Sequence, residues 1–412
     1  MAQDTLVIYG TTYNNVAGIK ATDNNSNTMT YIRPTGTKSI SANGTNIDVT
    51  DYAAVDVNVA QDTSVVSGLV LRTLRTIDWS TIQQFTNVGD YGFAGMSIFN
   101  PPELPSTVHT INKYAFRECT ALSWTSLPNS ITSISSYAFY GCTNLALTSL
   151  PTGWTSPVIN EYVFYNCSKL AIASIPSSVT SIYQYAFYGC TSLSQMSLPN
   201  SITSINGYAF YKCTNLSLTS LPSSLLSIGD RAFYQCTSLE LTTLPSTLTT
   251  IGSYAFYECS SLIDISSTAA ITTVGTAAFN GTSSNPMNLK SASFPNMATS
   301  SSLGIVFGSS TAVNACQLLE FADLGYTPGL AASSLANCYS LETLVLRKTA
   351  SVCTISSNTF SNTPMAGYNS KTGTVYVPSA LISSYQSANN WQTLYNNGTV
   401  TFVAIEGSEY EL

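Results

Sequence analysis

This chain is short of charge. Of its 412 residues only 8% are Asp, Glu, Lys or Arg, with 14 basic side chains, 21 acidic ones and a single His. So few Lys and Arg leave no basic stripe to neutralise phosphates, which sets nucleic acid and anionic membranes aside as partners. No run of about 18 apolar residues occurs, so no membrane insertion is expected. The opening "MAQDTLVIYGTTYNN" lacks a basic region followed by an apolar one, so a cleaved secretion signal is not expected either. Paired C-x₂-C ligands, G-x-S-x-G and H-E-x-x-H strings and a clustered Asp loop are also missing. No metal, cofactor or catalytic set is therefore expected, and the chain is read as no enzyme. The acids of the middle region (Glu118, Glu161, Asp230, Glu240, Glu258 and Asp264) are scattered singly and read as solvated or locally capping. Ser, Thr, Asn and 25 Tyr supply the polarity instead, which points to recognition by specific polar or aromatic contacts.

What is present is a period. Phe93, Phe116, Phe139, Phe164, Phe187, Phe210, Phe233, Phe256 and Phe279 are spaced by 23 residues, with one step of 25 between Phe139 and Phe164, where "PTGWTSPVIN" adds two residues. Three positions after each Phe stands Cys119, Cys142, Cys167, Cys190, Cys213, Cys236 or Cys259, with Met96 and Thr282 in that slot at the two ends. Each unit continues with Leu, then Leu or Ile before Pro, as in Leu193, Leu198 and Pro199, and then an apolar pair such as Ile202 and Ile205. One unit cannot bury its apolar face alone, so the copies must stack into a solenoid. The Leu-x-x-x-x-Leu-Pro stretch is predicted to be a short strand ended by Pro, and Ser-Ile-x-x-Tyr-Ala-Phe a second extended segment entering a tight turn.

This consensus, held over at least seven consecutive copies, resembles the BspA-like leucine-rich repeat. The resemblance covers roughly residues 85–281 and implies a binding scaffold of the kind found on bacterial surface adhesins and in related phage and protist proteins. The expected fold is mainly β: a leucine-rich-repeat solenoid of about 23-residue repeats, with a small β-rich N-terminal domain and a strand-helix-strand C-terminal cap.

Domain limits follow from where the period holds. Residues 1–62 lack it and read as a β-rich attachment module, with a hairpin signal at Asn43-Gly44. Residues 63–84, with Arg72, Arg75 and Asp78, read as junction and N-terminal cap, 85–281 as regular repeats and 282–370 as irregular repeats. Residues 371–412 read as the C-terminal cap, with Ser379 as helix N-cap and Leu381, Tyr385 and Ala388 on one helical face. "SISANGTNIDVTDYAAVDVNV" is similar to segments of structural proteins of phages and prophages of Gram-positive gut bacteria. That likeness implies a tail-associated or fibre-like virion component, docked on other virion proteins through residues 1–62 and released by lysis. A capsid decoration or head fibre, and a bacterial cell-surface adhesin, are the alternatives. In each case the solenoid would engage a host-surface or mucosal glycan or protein, with homo-oligomerisation left open.

The Cys column admits a metal site, a nucleophile paired with His109, disulfides between strands about 4.8 Å apart, or a buried thiol ladder. Seven columnar Cys cannot all pair, and the end-unit replacements favour the structural ladder, with Cys as a small hydrophobe. Two tyrosine columns remain. Tyr140, Tyr165, Tyr188, Tyr211, Tyr234 and Tyr257 follow the core Phe and are the candidate binding residues. Tyr114, Tyr137, Tyr162, Tyr185, Tyr208 and Tyr254, interrupted by Arg231, form a second column that the family consensus accounts for in part. Tyr suits a paratope because it offers large rigid area and a polar tip, and stacked rings equally stabilise neighbouring repeats.

Overall fold

The computed structural model describes residues 86–90, 93–95, 100, 103–282, 284–299, 303–304, 306–309 and 315–412, together with short strands before residue 86. The chain is a mainly β, parallel β-solenoid and divides into two compact units, Met1–Leu193 and Ser194–Leu412. In the first unit, β1 (Thr5–Ile8) pairs antiparallel with β2 (Thr11–Asn14), and β3 (Gly18–Thr22) with β4 (Thr28–Ile32). β5 (Ser39–Ala42) and β6 (Thr45–Asp48) pair antiparallel on either side of Asn43-Gly44. β7 (Val55–Asp56) joins β4, and β8 (Ile77–Asp78) runs parallel to β7. The rest of the expected junction and cap, with Arg72, Arg75 and Met96, lies outside the described residues.

The solenoid of this unit places one two-residue strand in each coil. β9 (Asn87–Val88), β10 (Thr110–Ile111) and β11 (Ser133–Ile134) are parallel and in register, as are β12 (Val158–Ile159) and β13 (Ser181–Ile182). In each pair the second residue is buried and the first half-exposed, which is the period-2 alternation of a strand. Inside, Phe93, Phe116, Phe139, Phe164 and Phe187 stack with centroids 5.1 to 5.8 Å apart. The 25-residue step does not break the file. Trp154 is buried at the position of Ile131, its amide bonds the Pro151 carbonyl as that of Ile131 bonds Pro128, and the two extra residues are taken up in the loop before Val158.

The Leu-to-Pro stretch departs from expectation: in the regular coils it forms no continuous strand among the described residues. Its first amide is spent on a turn (Leu145 to Cys142 O) and Pro151 ends it without a donor, which leaves Ala146 and Thr148 to reach the preceding coil at Trp124 O and Thr125 O. Two ladder bonds are too few to align a strand.

In the second unit the Ser-Ile strands continue as β14 (Ser204–Ile205), β15 (Ser227–Ile228), β16 (Thr250–Ile251) and β18 (Thr273–Val274). The other side now becomes a regular parallel sheet: β17 (Asp264–Ser266), β19 (Ser291–Ser293), β20 (Phe321–Asp323), β22 (Thr343–Val345), β24 (Gly373–Val377) and β25 (Val400–Ala404). A smaller pair, β21 (Gly329–Leu330) and β23 (Thr354–Ile355), completes the irregular coils.

Between β24 and β25 the expected helix is two short ones, α1 (Ile382–Ser387) and α2 (Trp391–Asn396), separated at Asn390 with φ 65° and preceded by a 3₁₀ turn at Ser379–Leu381. Ser379 is not the N-cap. It lies inside the turn, and its amide donates to the Glu406 carboxylate at 2.9 Å. Tyr385 and Trp391 seal the last coil: Trp391 Nε1 donates to Cys353 O at 2.7 Å, and the Tyr385 hydroxyl accepts the Cys353 amide at 2.9 Å. Leu381 and Ala388 are half-exposed. No helix among the described residues is long and apolar enough to cross a membrane.

Candidate binding surface

The turn after each Ser-Ile strand builds the surface. In the coil of Tyr137, the amides of Tyr137, Phe139 and Gly141 bond the carbonyls of Glu161, Val163 and Tyr165 in the next coil. The intervening amides of Ala138, Tyr140 and Cys142 close four-residue turns onto Ser135, Tyr137 and Phe139. Satisfying both directions requires left-handed backbone twice per coil. Tyr114, Tyr137, Tyr162, Tyr185, Tyr208, Arg231 and Tyr254 occupy the first such position at φ 54° to 61°. Glu118, Gly141, Asn166, Gly189, Lys212, Gln235 and Glu258 occupy the second. A left-handed non-Gly residue costs roughly 1–2 kcal/mol. At Gly189 a Cβ would fall 2.3 Å from Asn166 Oδ1, so a side chain there must also displace its neighbour.

This geometry brings the two tyrosine columns together as one strip of two files. In the first unit Tyr114, Tyr137, Tyr162 and Tyr185 stack at 4.5 to 4.8 Å, and Tyr140, Tyr165 and Tyr188 at 4.5 to 4.6 Å. The files are 5.7 to 6.1 Å apart within a coil. Arg117 heads the second file, 5.5 Å over the Tyr140 ring, and pairs with Glu118 at 3.1 Å. In the second unit Tyr211, Tyr234 and Tyr257 stack at 4.6 and 5.0 Å. Arg231 lies between Tyr208 and Tyr254, 5.4 and 4.5 Å from their rings.

All candidate tyrosines are half-buried except Tyr257, which is 8% exposed and so forms part of the covered end rather than a contact face. Burial, reinforced by neighbouring phenols, pushes the Tyr162 and Tyr165 hydroxyls up to about 12, so they stay protonated. Sequence order gave no sign that the two columns adjoin, because they do so only through the left-handed turn.

The thiols face the other way. All ten cysteines are free and buried. In the first unit the column thiols donate to the carbonyl of the Phe one coil back: Cys119 to Phe93 at 2.8 Å, Cys142 to Phe116 at 2.9 Å, Cys167 to Phe139 at 3.0 Å and Cys190 to Phe164 at 3.1 Å. In the second unit Cys236 and Cys259 repeat the bond to Phe210 and Phe233. Cys213 is buried in the same slot. Burial pushes the thiols of Cys142, Cys167, Cys236 and Cys259 well above their ordinary value, the opposite of what a nucleophile needs.

Thr282 does not share the slot. Its hydroxyl donates outward to Glu258 at 3.0 Å, and the rung above Phe279 is Cys316, at 2.7 Å, followed by Cys338 above Phe307. Glu258 is likewise no solvated side chain: it is 4% exposed and accepts from Gln235, Thr282 and Asn285. His109 is exposed while Cys119 is buried, so they form no catalytic pair. No His, Cys, Asp and Glu cluster able to hold a metal occurs among the described residues.

Residues 86–216 and 157–286 match the model of the BspA type leucine rich repeat region (6 copies). Among solved structures, a leucine-rich repeat protein of Bacteroides ovatus is 19% identical, with a TM-score of 0.51 over 95% of this chain and 99% of that one. A leucine rich cell surface protein of Faecalibacterium prausnitzii is 17% identical, with a TM-score of 0.40 over 93% and 96%. The pneumococcal vaccine antigen PcpA is 17% identical, with a TM-score of 0.43 over 89% and 87%. A search of curated protein sequences returns no match, and nothing in these comparisons supports the phage likeness of the N-terminal segment. Sequence period and coil geometry agree with the match of residues 86–286 to the BspA type leucine rich repeat model.

Proposed function

We propose that this protein is a non-enzymatic binding protein of the adhesin type, which presents its solenoid at a bacterial surface to a host-surface or mucosal glycan or protein. The observation that carries the reading is the two-file tyrosine strip: rigid, half-exposed aromatic area with polar tips, on a chain whose thiols are all committed to the core. The family match and the fold of the Bacteroides ovatus structure support a scaffold role. The virion reading, with residues 1–62 docked on other virion proteins, is the second choice. It rests on the N-terminal wording alone, and portal, capsid and tail genes beside this one would favour it.

The test is adhesion of the full chain to mucin-coated surfaces and host cells, with a Tyr165→Ala, Tyr188→Ala variant beside it. Adhesion that falls while the melting temperature changes little supports the reading. Equal adhesion by folded variant and parent overturns it.

A further inference from the structure

Ring stacking decides what the strip can read. In the first unit, the rings of Tyr137, Tyr162 and Tyr185 and of Tyr140, Tyr165 and Tyr188 lie at 4.5 to 4.6 Å within their files, with interplanar angles of 1° to 12°. At that separation each inner face is covered by the next ring. No gap is left for a sugar ring to stack on a face or for a partner's ring to interleave. What the strip offers is a comb of ring edges and hydroxyls, one pair per coil.

The hydroxyls are committed in one direction. Those of Tyr162 and Tyr185, and of Tyr165 and Tyr188, bond along their files. A phenol has one donor and two acceptor lone pairs, so a hydroxyl that donates along its file keeps an acceptor for a ligand. The base beside these tyrosines, Arg117 over the Tyr140 ring, is paired with Glu118 at 3.1 Å, and Glu161 adds a negative charge, so the strip has little to draw an anionic polymer. It calls for a neutral, donor-rich ligand.

The rungs are identical, and the aperiodic face of a globular protein can match only a few of them. A repeating peptide falls out of step, because an extended strand advances about 3.3 Å per residue and a polyproline helix about 3.1 Å. A chain of pyranose rings fits both requirements, with a repeat of about one ring per rung and a hydroxyl-rich edge. Resting on the binding reading above, we propose that the first unit binds a neutral glycan chain laid along the strip, with sugar hydroxyls donating to the tyrosine oxygens one ring per coil.

The test is calorimetric titration of the full chain with cello-, laminari- and malto-oligosaccharides, from disaccharide to hexasaccharide. In at least one series affinity should climb with each added ring and then level off. Tyr165→Phe, which keeps the ring and the stack, should weaken the longest ligand by about threefold to tenfold. The proposal is overturned if no series binds, or if disaccharide and hexasaccharide bind alike. It is also overturned if Tyr165→Phe is neutral while Tyr165→Ala weakens binding, a result that leaves the adhesin reading standing with an apolar contact in place of hydroxyl reading. A dimer in sedimentation that Tyr165→Phe dissolves would make a second copy the occupant and overturn it as well. Loss of the adhesin reading itself shows separately, as unchanged adhesion by the Tyr165→Ala, Tyr188→Ala variant.

Discussion

The thiol of Cys142 donates to the carbonyl oxygen of Phe116 at 2.9 Å, and that same oxygen accepts the amide of Cys119 from its own coil at 3.1 Å. One acceptor thus ties a turn shut and ties it to the next coil, which gives the recurring cysteine a role beyond filling space.

Replacing Cys190 by Val removes the donor and adds a methyl to a closed slot. Overpacking and the lost hydrogen bond together should cost about 1–3 kcal/mol of unfolding free energy. Cys190→Ser keeps a donor and should cost less, and urea denaturation of the two variants orders them.

The thiols also set an alkaline limit. Burial holds Cys167 and Cys259 well above the ordinary 9.0, and pushes Cys353 up to about 12. The unfolded chain ionises near the ordinary value while the folded chain keeps its protons. Their contribution to stability is therefore full below about pH 9 and falls as pH rises toward the folded values. Denaturation midpoints should be flat from neutral pH and drop above about pH 9. A thiol-specific reagent should find no reactive cysteine in the native chain and all ten after unfolding.

Asp323 and Arg347, 2% and 7% exposed, form a two-pronged ion pair, with Nε and Nη2 donating at 3.0 and 2.6 Å. Asp323→Ala leaves the guanidinium buried and unpaired and should destabilise the chain by about 3–5 kcal/mol. A double change to Leu at Asp323 and Met at Arg347 should recover most of that loss in the same denaturation experiment.

Arg231 stands where the other coils carry Tyr. Arg231→Ala removes its contacts with the Tyr208 and Tyr254 rings and should cost about 0.5–2 kcal/mol, whereas Arg231→Tyr completes the file and should leave the melting temperature nearly unchanged.

Lys212 holds left-handed backbone with an exposed side chain. Lys212→Gly relieves roughly 1–2 kcal/mol of strain against the backbone entropy of Gly, for a net gain of up to about 1 kcal/mol. Gly189→Val should lose stability, and thermal melts of the pair give the sign.

Much of this was open to reading in the residues. The 23-residue step of Phe and Cys is a fact of spacing, and a unit too short to bury its own apolar face can be stable only as a stack. That argument delivered the solenoid and the buried thiols. It failed on the Leu-to-Pro stretch, because counting apolar residues does not count amides, and the turn and the Pro take the donors a strand needs. It failed at Thr282 because that hydroxyl turns to the Glu258 carboxylate instead of the core, a contact across coils that spacing alone does not show.

The sequence by itself determined the coil, its period and the inward faces, since burial of Phe, Cys, Leu and Ile admits one periodic solution. Tertiary structure alone decided the surface. Whether two tyrosine columns three residues apart would diverge or adjoin depends on the sign of φ at Tyr137 and its equivalents, and that sign is imposed by hydrogen bonds to the next coil. The strip exists because those amides must find partners along the stack, a demand no single repeat contains.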